Sequence, residues 1–171
     1  MGGGLRSYEI FEISLLQWIA KKCAVPTNDY NHFIQTLLKG DYDLFIEKLR
    51  TYLTTAFSFY STGPKNGELF YNGFMLGLMT SLSTHYDIET EKESGLGRID
   101  MVLIPKPTSW YKKAFLLEFK RVAKEENLKA AAEAALIQIQ DKKYRDKVKD
   151  YDTVSLGLAF CGKDVEMAVG G

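Results

Sequence analysis

Three residues in the middle of this sequence carry charge where a buried strand should carry none. Asp100 sits among Ile99, Met101, Val102, Leu103 and Ile104, and Glu118 and Lys120 follow Ala114, Phe115, Leu116 and Leu117. Strand side chains alternate between two faces, so Leu116, Glu118 and Lys120 share one face and Phe115, Leu117 and Phe119 the other. If the two runs pair as neighbouring strands across the turn that holds Pro105, Asp100 joins Glu118 and Lys120 in one cluster. Two carboxylates so placed suit a hard divalent cation, and the ammonium puts a fixed positive charge beside it. The alternative is an ion-pair cluster of the same three side chains, worth at most about 1 kcal/mol at a surface.

The elements that would position these residues follow from periodicity. Ile10, Phe11, Ser14, Leu15, Trp18 and Ile19 recur at helical spacing, as do Phe33, Ile34, Leu37 and Leu38, and then Leu44, Phe45, Leu49, Leu53 and Phe57. Thr27, Asn28 and Asp29 offer caps for the second of these helices, Gly40 stops it, and Asp41 or Asp43 caps the third. A fourth, nearly all-apolar helix is expected from about Asn66 through Leu82, with Glu68 and Asn72 as its polar strip. Glu68 at its start also suits the positive end of a helix dipole. Gly73 and Gly77, four apart, read as positions of close helix packing.

His85 to Glu91 reads as a strand with His85, Asp87, Glu89 and Glu91 on a solvated face, and His85 reads as structural. Ser94 to Gly97 turns into the strand of Asp100, and Arg98, two residues before it, reads as a phosphate contact or as an ion-pair partner of Asp100 or Glu93. Pro105 to Lys113 is a loop in which Trp110 and Tyr111 lie among Lys106, Lys112 and Lys113. That composition fits base stacking with phosphate contacts, although exposed hairpin loops often look like this. A long Ala-rich helix is expected from about Glu125 to Lys147, packing on the sheet through Leu128, Ala131, Ala135 and Ile139, with Gln138 and Lys142 on the same flank. Thr153 to Phe160 and Val165 to Val169 complete the sheet.

The 171 residues suffice for one compact domain with a real core. Formal net charge is zero, so bulk electrostatics does not mark a nucleic-acid binder. Cys23 and Cys161 stand far apart with no metal-knuckle spacing, which points to reduced thiols. No apolar run suffices to span a bilayer and no signal peptide opens the chain, so a cytoplasmic protein without membrane contact is expected. The Gly-rich ends, Met1 to Gly4 and Gly170-Gly171, read as linker rather than fold.

With its context, the acid on one strand and E-x-K on the next resembles the PD-(D/E)XK nuclease superfamily. The context is the phrase E-S-G-L-G-R-I-D ending at Asp100, E-F-K over Glu118, Phe119 and Lys120, and A-L-I-Q-I-Q-D-K-K-Y on the following helix. These look like one bacterial branch, covering about residues 5–169, in which the nuclease-like domain commonly follows an AAA-ATPase-like domain. The resemblance implies an α/β, restriction-endonuclease-like core over about 61–169, a small mixed sheet flanked by helices, after a helical part over about 5–60. It implies Mg²⁺ or Mn²⁺ held by Asp100, Glu118 and the Phe119 carbonyl, with Lys120 and Gln138 as further catalytic residues.

Glu68 falls where the family carries an acid on its first core helix, and Asn72 departs from a frequent histidine. Gln138, Ile139, Lys142 and Tyr144 match the family's Q-I-x-x-K-x-Y phrase, which makes Glu68, Arg98, Lys142 and Tyr144 accessory candidates. The implied activity is metal-dependent hydrolysis of DNA, with DNA and an ATPase-like domain or protein as partners. Superfamily members also serve as silent DNA-recognition or protein-interaction modules, and both alternatives stay open at this point.

Overall fold

A computed structural model of the chain describes residues 27–58, 67–90, 99–140 and 145–171. The helix expected over Ile10 to Ile19, the turn at Ser94 to Gly97, and Cys23, Arg98, Lys142 and Tyr144 lie outside these residues. So does the Glu68 side chain.

Helix α1, Thr27–Lys39, ends as its sequence requires. Gly40 adopts φ +80°, and its N–H donates to the Leu37 carbonyl while that of Asp41 donates to Thr36, which satisfies the last carbonyls of the helix. Helix α2, Tyr42–Ser58, starts at once, with the Leu44 N–H donating to Asp41 Oδ1 at 3.4 Å. The two helices meet through Phe33, stacked on Phe45 at 4.9 Å and edge-on to Tyr52 at 5.1 Å. Helix α3, Gly67–Met79, stops short of the expected Leu82. The chain tightens into a 3-10 turn, Thr80–Thr84, where the Thr80 hydroxyl bonds the Gly77 carbonyl at 2.7 Å.

Five strands then build one mixed sheet in sequence order: β1 Tyr86–Thr90, β2 Met101–Pro105, β3 Lys113–Arg121, β4 Asp152–Cys161 and β5 Asp164–Gly170. All neighbours run antiparallel except β3 and β4. That parallel pair requires a crossover, supplied by a 3-10 turn, Glu125–Asn127, helix α4, Leu128–Gln140, and a short helix α5, Arg145–Val148. The expected single helix from Glu125 to Lys147 is therefore described in pieces, with residues 141–144 outside them.

Each strand face has its own cover, which accounts for the unbroken apolar runs in the middle of the sheet. Phe115, Leu117 and Phe119 of β3 join the α1, α2 and α3 core, and Ala114 and Leu116 face Ile139 of α4. The buried stripe of α4 is Leu128, Ala132, Ala135 and Ile139. Ala132 takes the place expected for Ala131, which is only half-buried.

Gly157 explains the close fit of α4. A β-carbon there would sit 2.5 Å from the Leu136 nitrogen and nearer still to the Ala132 carbonyl oxygen, so the helix backbone lies directly on β4. Two other glycines bear on the sequence reading. Among the described residues a β-carbon at Gly73 would meet nothing within 4 Å. Gly170, read as linker, pairs with Ser155 in the sheet and lies under Leu136. The whole is the restriction-endonuclease-like α/β arrangement that the resemblance implied, a small mixed sheet flanked by helices after a helical N-terminal part.

Candidate active site

Strands β2 and β3 pair with Met101 opposite Leu117 and Val102 opposite Leu116. One step further along that register, Asp100 comes opposite Glu118. There the side chain takes over from the ladder, and the Phe119 N–H donates to Asp100 Oδ2 at 2.7 Å. This is a short, charge-assisted bond, and it fixes Asp100 against the backbone of β3. In an antiparallel pair the N–H and C=O of one residue point to the same neighbour. The Phe119 carbonyl is therefore directed to the β2 side of β3, the side on which Asp100 stands.

Glu118 is 4% exposed. The parallel register sets it beside Gly157, the residue on which α4 rests, so helix and sheet together exclude water from this carboxylate. Burying a charged carboxylate is costly unless cations or donors compensate it. Lys120, two residues along the same face, places its Nζ 3.7 Å from Glu118 Oε1. The two ends of this pair differ in access: the Lys120 side chain is 37% exposed against 5% for Glu118. The buried acid is thus coupled to a cation that still reaches solvent.

Gln138 is half-buried on α4. Leu136 and Gln140 lie against Gly170 of β5, and Gln138, roughly 200° around the helix from Leu136, occupies the opposite flank. The Ile139 next to it packs with Val102 and Leu116, so that flank lies toward β2 and β3. Asn72 of α3 is half-buried and Glu68 lies in the first turn of that helix. His85 sits against Trp110 and Tyr111, with ring centroids at 4.6 and 5.5 Å, a packing role at the end of the sheet.

Sequence reasoning missed two things here. One is Gly157, whose signal was a lone glycine inside an apolar strand, a mark of close backbone approach. The other is Tyr71, whose hydroxyl bonds the Gly162 carbonyl at 2.6 Å and ties α3 to the β4–β5 turn.

As a donor set, two carboxylates and a main-chain carbonyl are hard oxygen ligands, and they fit Mg²⁺ or Mn²⁺ rather than a thiophilic ion. Among the described residues no group of three or more His, Cys, Asp and Glu side chains is placed to hold a metal ion. The candidate set is of a different kind, with one of its ligands from the backbone. No described helix is long and apolar enough to cross a membrane. No curated protein matches the chain. A family model described as the PD-(D/E)XK nuclease superfamily matches residues 66–169, the segment that carries Asp100, Glu118, Lys120 and Gln138, and the chain belongs to that superfamily.

Proposed function

We propose that the chain is a metal-dependent nuclease that hydrolyses DNA phosphodiester bonds at the cluster of Asp100, Glu118 and Lys120. The observation that carries this reading is the meeting of β2 and β3, where Asp100 is bonded to the Phe119 N–H at 2.7 Å and Lys120 stands 3.7 Å from buried Glu118. Asp100, Glu118 and the Phe119 carbonyl would hold Mg²⁺ or Mn²⁺. Bound there, the ion supplies Lewis-acid stabilisation of phosphoryl charge and eases deprotonation of water.

The remaining work belongs to the chain. Burial lowers the local dielectric around Glu118, which strengthens each electrostatic contact made at that point. Lys120, held by Glu118 and open to solvent, orients the attacking water and offsets the negative charge that develops on the phosphorus substituents. Gln138 of α4 holds the water or a phosphate oxygen. Glu68, Arg98, Lys142 and Tyr144 belong to the proposal as accessory contacts to substrate. An ATPase-like partner belongs to it as well, on the resemblance alone, and so does the cytoplasmic location expected from the sequence.

The test is cleavage at low salt with Mn²⁺ or Mg²⁺ on single- and double-stranded DNA, because a chain of zero net charge binds phosphate weakly and with salt dependence. Lys120→Ala keeps both carboxylates, and it is expected to retain metal while losing about 10²–10³-fold in turnover, the range for deleting one electrostatic stabiliser. Glu118→Ala is expected to lose both. Absence of cleavage by the wild-type protein with metal demonstrably bound would overturn the enzyme reading and favour a silent recognition module.

A further inference from the structure

The β2–β3 loop is built around a side chain that the proposed reaction does not use. Trp110 is 71% exposed, the most exposed large apolar residue among those described. Its loop is nevertheless tightly held. The Lys106 N–H donates to the His85 carbonyl, and the Ser109 N–H to that of Lys106, both at 2.9 Å. Ser109 is buried and its Oγ accepts from the Tyr111 N–H at 3.1 Å. Tyr111 packs on Tyr86 and accepts from Gln35 at 3.3 Å, and His85 supports the indole from below at 4.6 Å. A rigid aromatic presented to water loses little conformational entropy on binding, and a lone exposed Trp of this kind is a common binding anchor.

Charge decides the class of partner. Between Asp100 and Glu118 the chain has three lysines, Lys106, Lys112 and Lys113, and no acid. The Lys106 and Lys112 ammoniums donate to the Ser83 and Ser109 carbonyls, neutral groups that leave both charges in place. Among the described residues none of the three lysines makes an ion pair. The nearest acids by strand register are Asp152, opposite Lys113, and exposed Asp87, opposite Ile104. An exposed indole on a loop whose lysines make no ion pair among the described residues matches a base with its flanking phosphates.

We propose that Trp110 with Lys106 and Lys112 forms a second contact for nucleic acid, stacking on an unpaired base remote from the scissile phosphate. This rests on the nuclease reading of the chain. Lys120 lies seven positions along β3 from Lys113, about 23 Å of strand at about 3.3 Å per residue. Only a strand of several nucleotides bridges that distance, since an unpaired strand spans more per nucleotide than the roughly 3.4 Å of a duplex strand. The contact therefore selects substrates with a single-stranded segment at least that long, and short ones do not gain from it.

The test is binding of a fluorescein-labelled oligothymidylate of twenty nucleotides to the metal-free protein at low salt, followed by anisotropy. Trp110→Ala is expected to weaken binding of the 20-mer by about 5- to 150-fold, the range for one stacked base. Trp110→Phe is expected to retain most of the affinity. Because the side chain is exposed, thermal melts of wild type and Trp110→Ala should coincide, which separates a binding effect from misfolding. Equal 20-mer affinity in wild type and Trp110→Ala would overturn the inference, and intact wild-type cleavage in that case would leave the nuclease reading standing. A wild-type protein that cleaves nothing, but whose 20-mer binding still depends on Trp110, would sink the nuclease reading and keep the platform.

Discussion

Substituting Gly157 by alanine tests how the site is assembled, because the added methyl group has nowhere to go. Its β-carbon would lie 2.5 Å from the Leu136 nitrogen and closer to the Ala132 carbonyl oxygen. Both obstacles are backbone atoms of α4, so no side-chain rotation relieves the clash. Restoring ordinary contact requires the helix to retreat by about 1 Å, and close-packed interiors resist such shifts. Overpacking of this kind costs about 1–3 kcal/mol. For a chain of this size each kcal/mol moves Tm by about 2–4 °C, so Gly157→Ala should melt roughly 2–12 °C below wild type by circular dichroism. The same retreat uncovers Glu118, the register neighbour of Gly157, and cleavage activity should fall with it at temperatures where the variant is still folded. A Tm within about 1 °C of wild type would refute the claim that α4 rests directly on β4 at this point.

Two pH effects follow from the described side chains. The Asp29 carboxyl is held below its ordinary value of 3.8, chiefly by its bond to Lys48 at 2.8 Å. Its contribution is therefore complete above pH 3.8 and lost as pH falls through the lower folded-state value, so the Tm gap between wild type and Asp29→Asn should close in acid. Salt should narrow the gap too, since the pair is partly exposed. At the other end, burial pushes the Tyr71 and Tyr86 hydroxyls up to about 12 from an ordinary 10. The folded chain keeps protons there that the unfolded chain releases, so stability should fall between pH 10 and 12, and Tyr71→Phe should lose it less steeply over that window in alkaline melts.

Local patterns in the sequence reached far because the decisive features are local. Alternation along Ala114 to Lys120 put Glu118 and Lys120 on one face, and the structure has them there, 3.7 Å apart. Gly40 ended a helix because only its positive φ closes the last turn. What stayed illegible depends on neighbours far along the chain. The α4 stripe runs through Ala132 rather than Ala131 because Gly157 admits the helix at Ala132 and Leu136, and an all-alanine segment carries no size signal to set its phase. Gly170 looked like a tail because its strand partner, Ser155, lies on another element. The burial of Glu118 was hidden for the same reason, since the cover comes from α4 and not from β3 itself.

The measurement closest to the central claim is calorimetric titration of Mn²⁺ into wild-type protein and Asp100→Ala. Asp100 anchors the candidate ligand set to the Phe119 backbone at 2.7 Å, and it contributes one of only two side-chain carboxylates assigned to the ion. The account predicts saturable binding by wild type and its disappearance in Asp100→Ala, with a Tm that rises on Mn²⁺ addition in wild type alone. Equal Mn²⁺ binding by the two proteins would place the metal elsewhere and contradict the account.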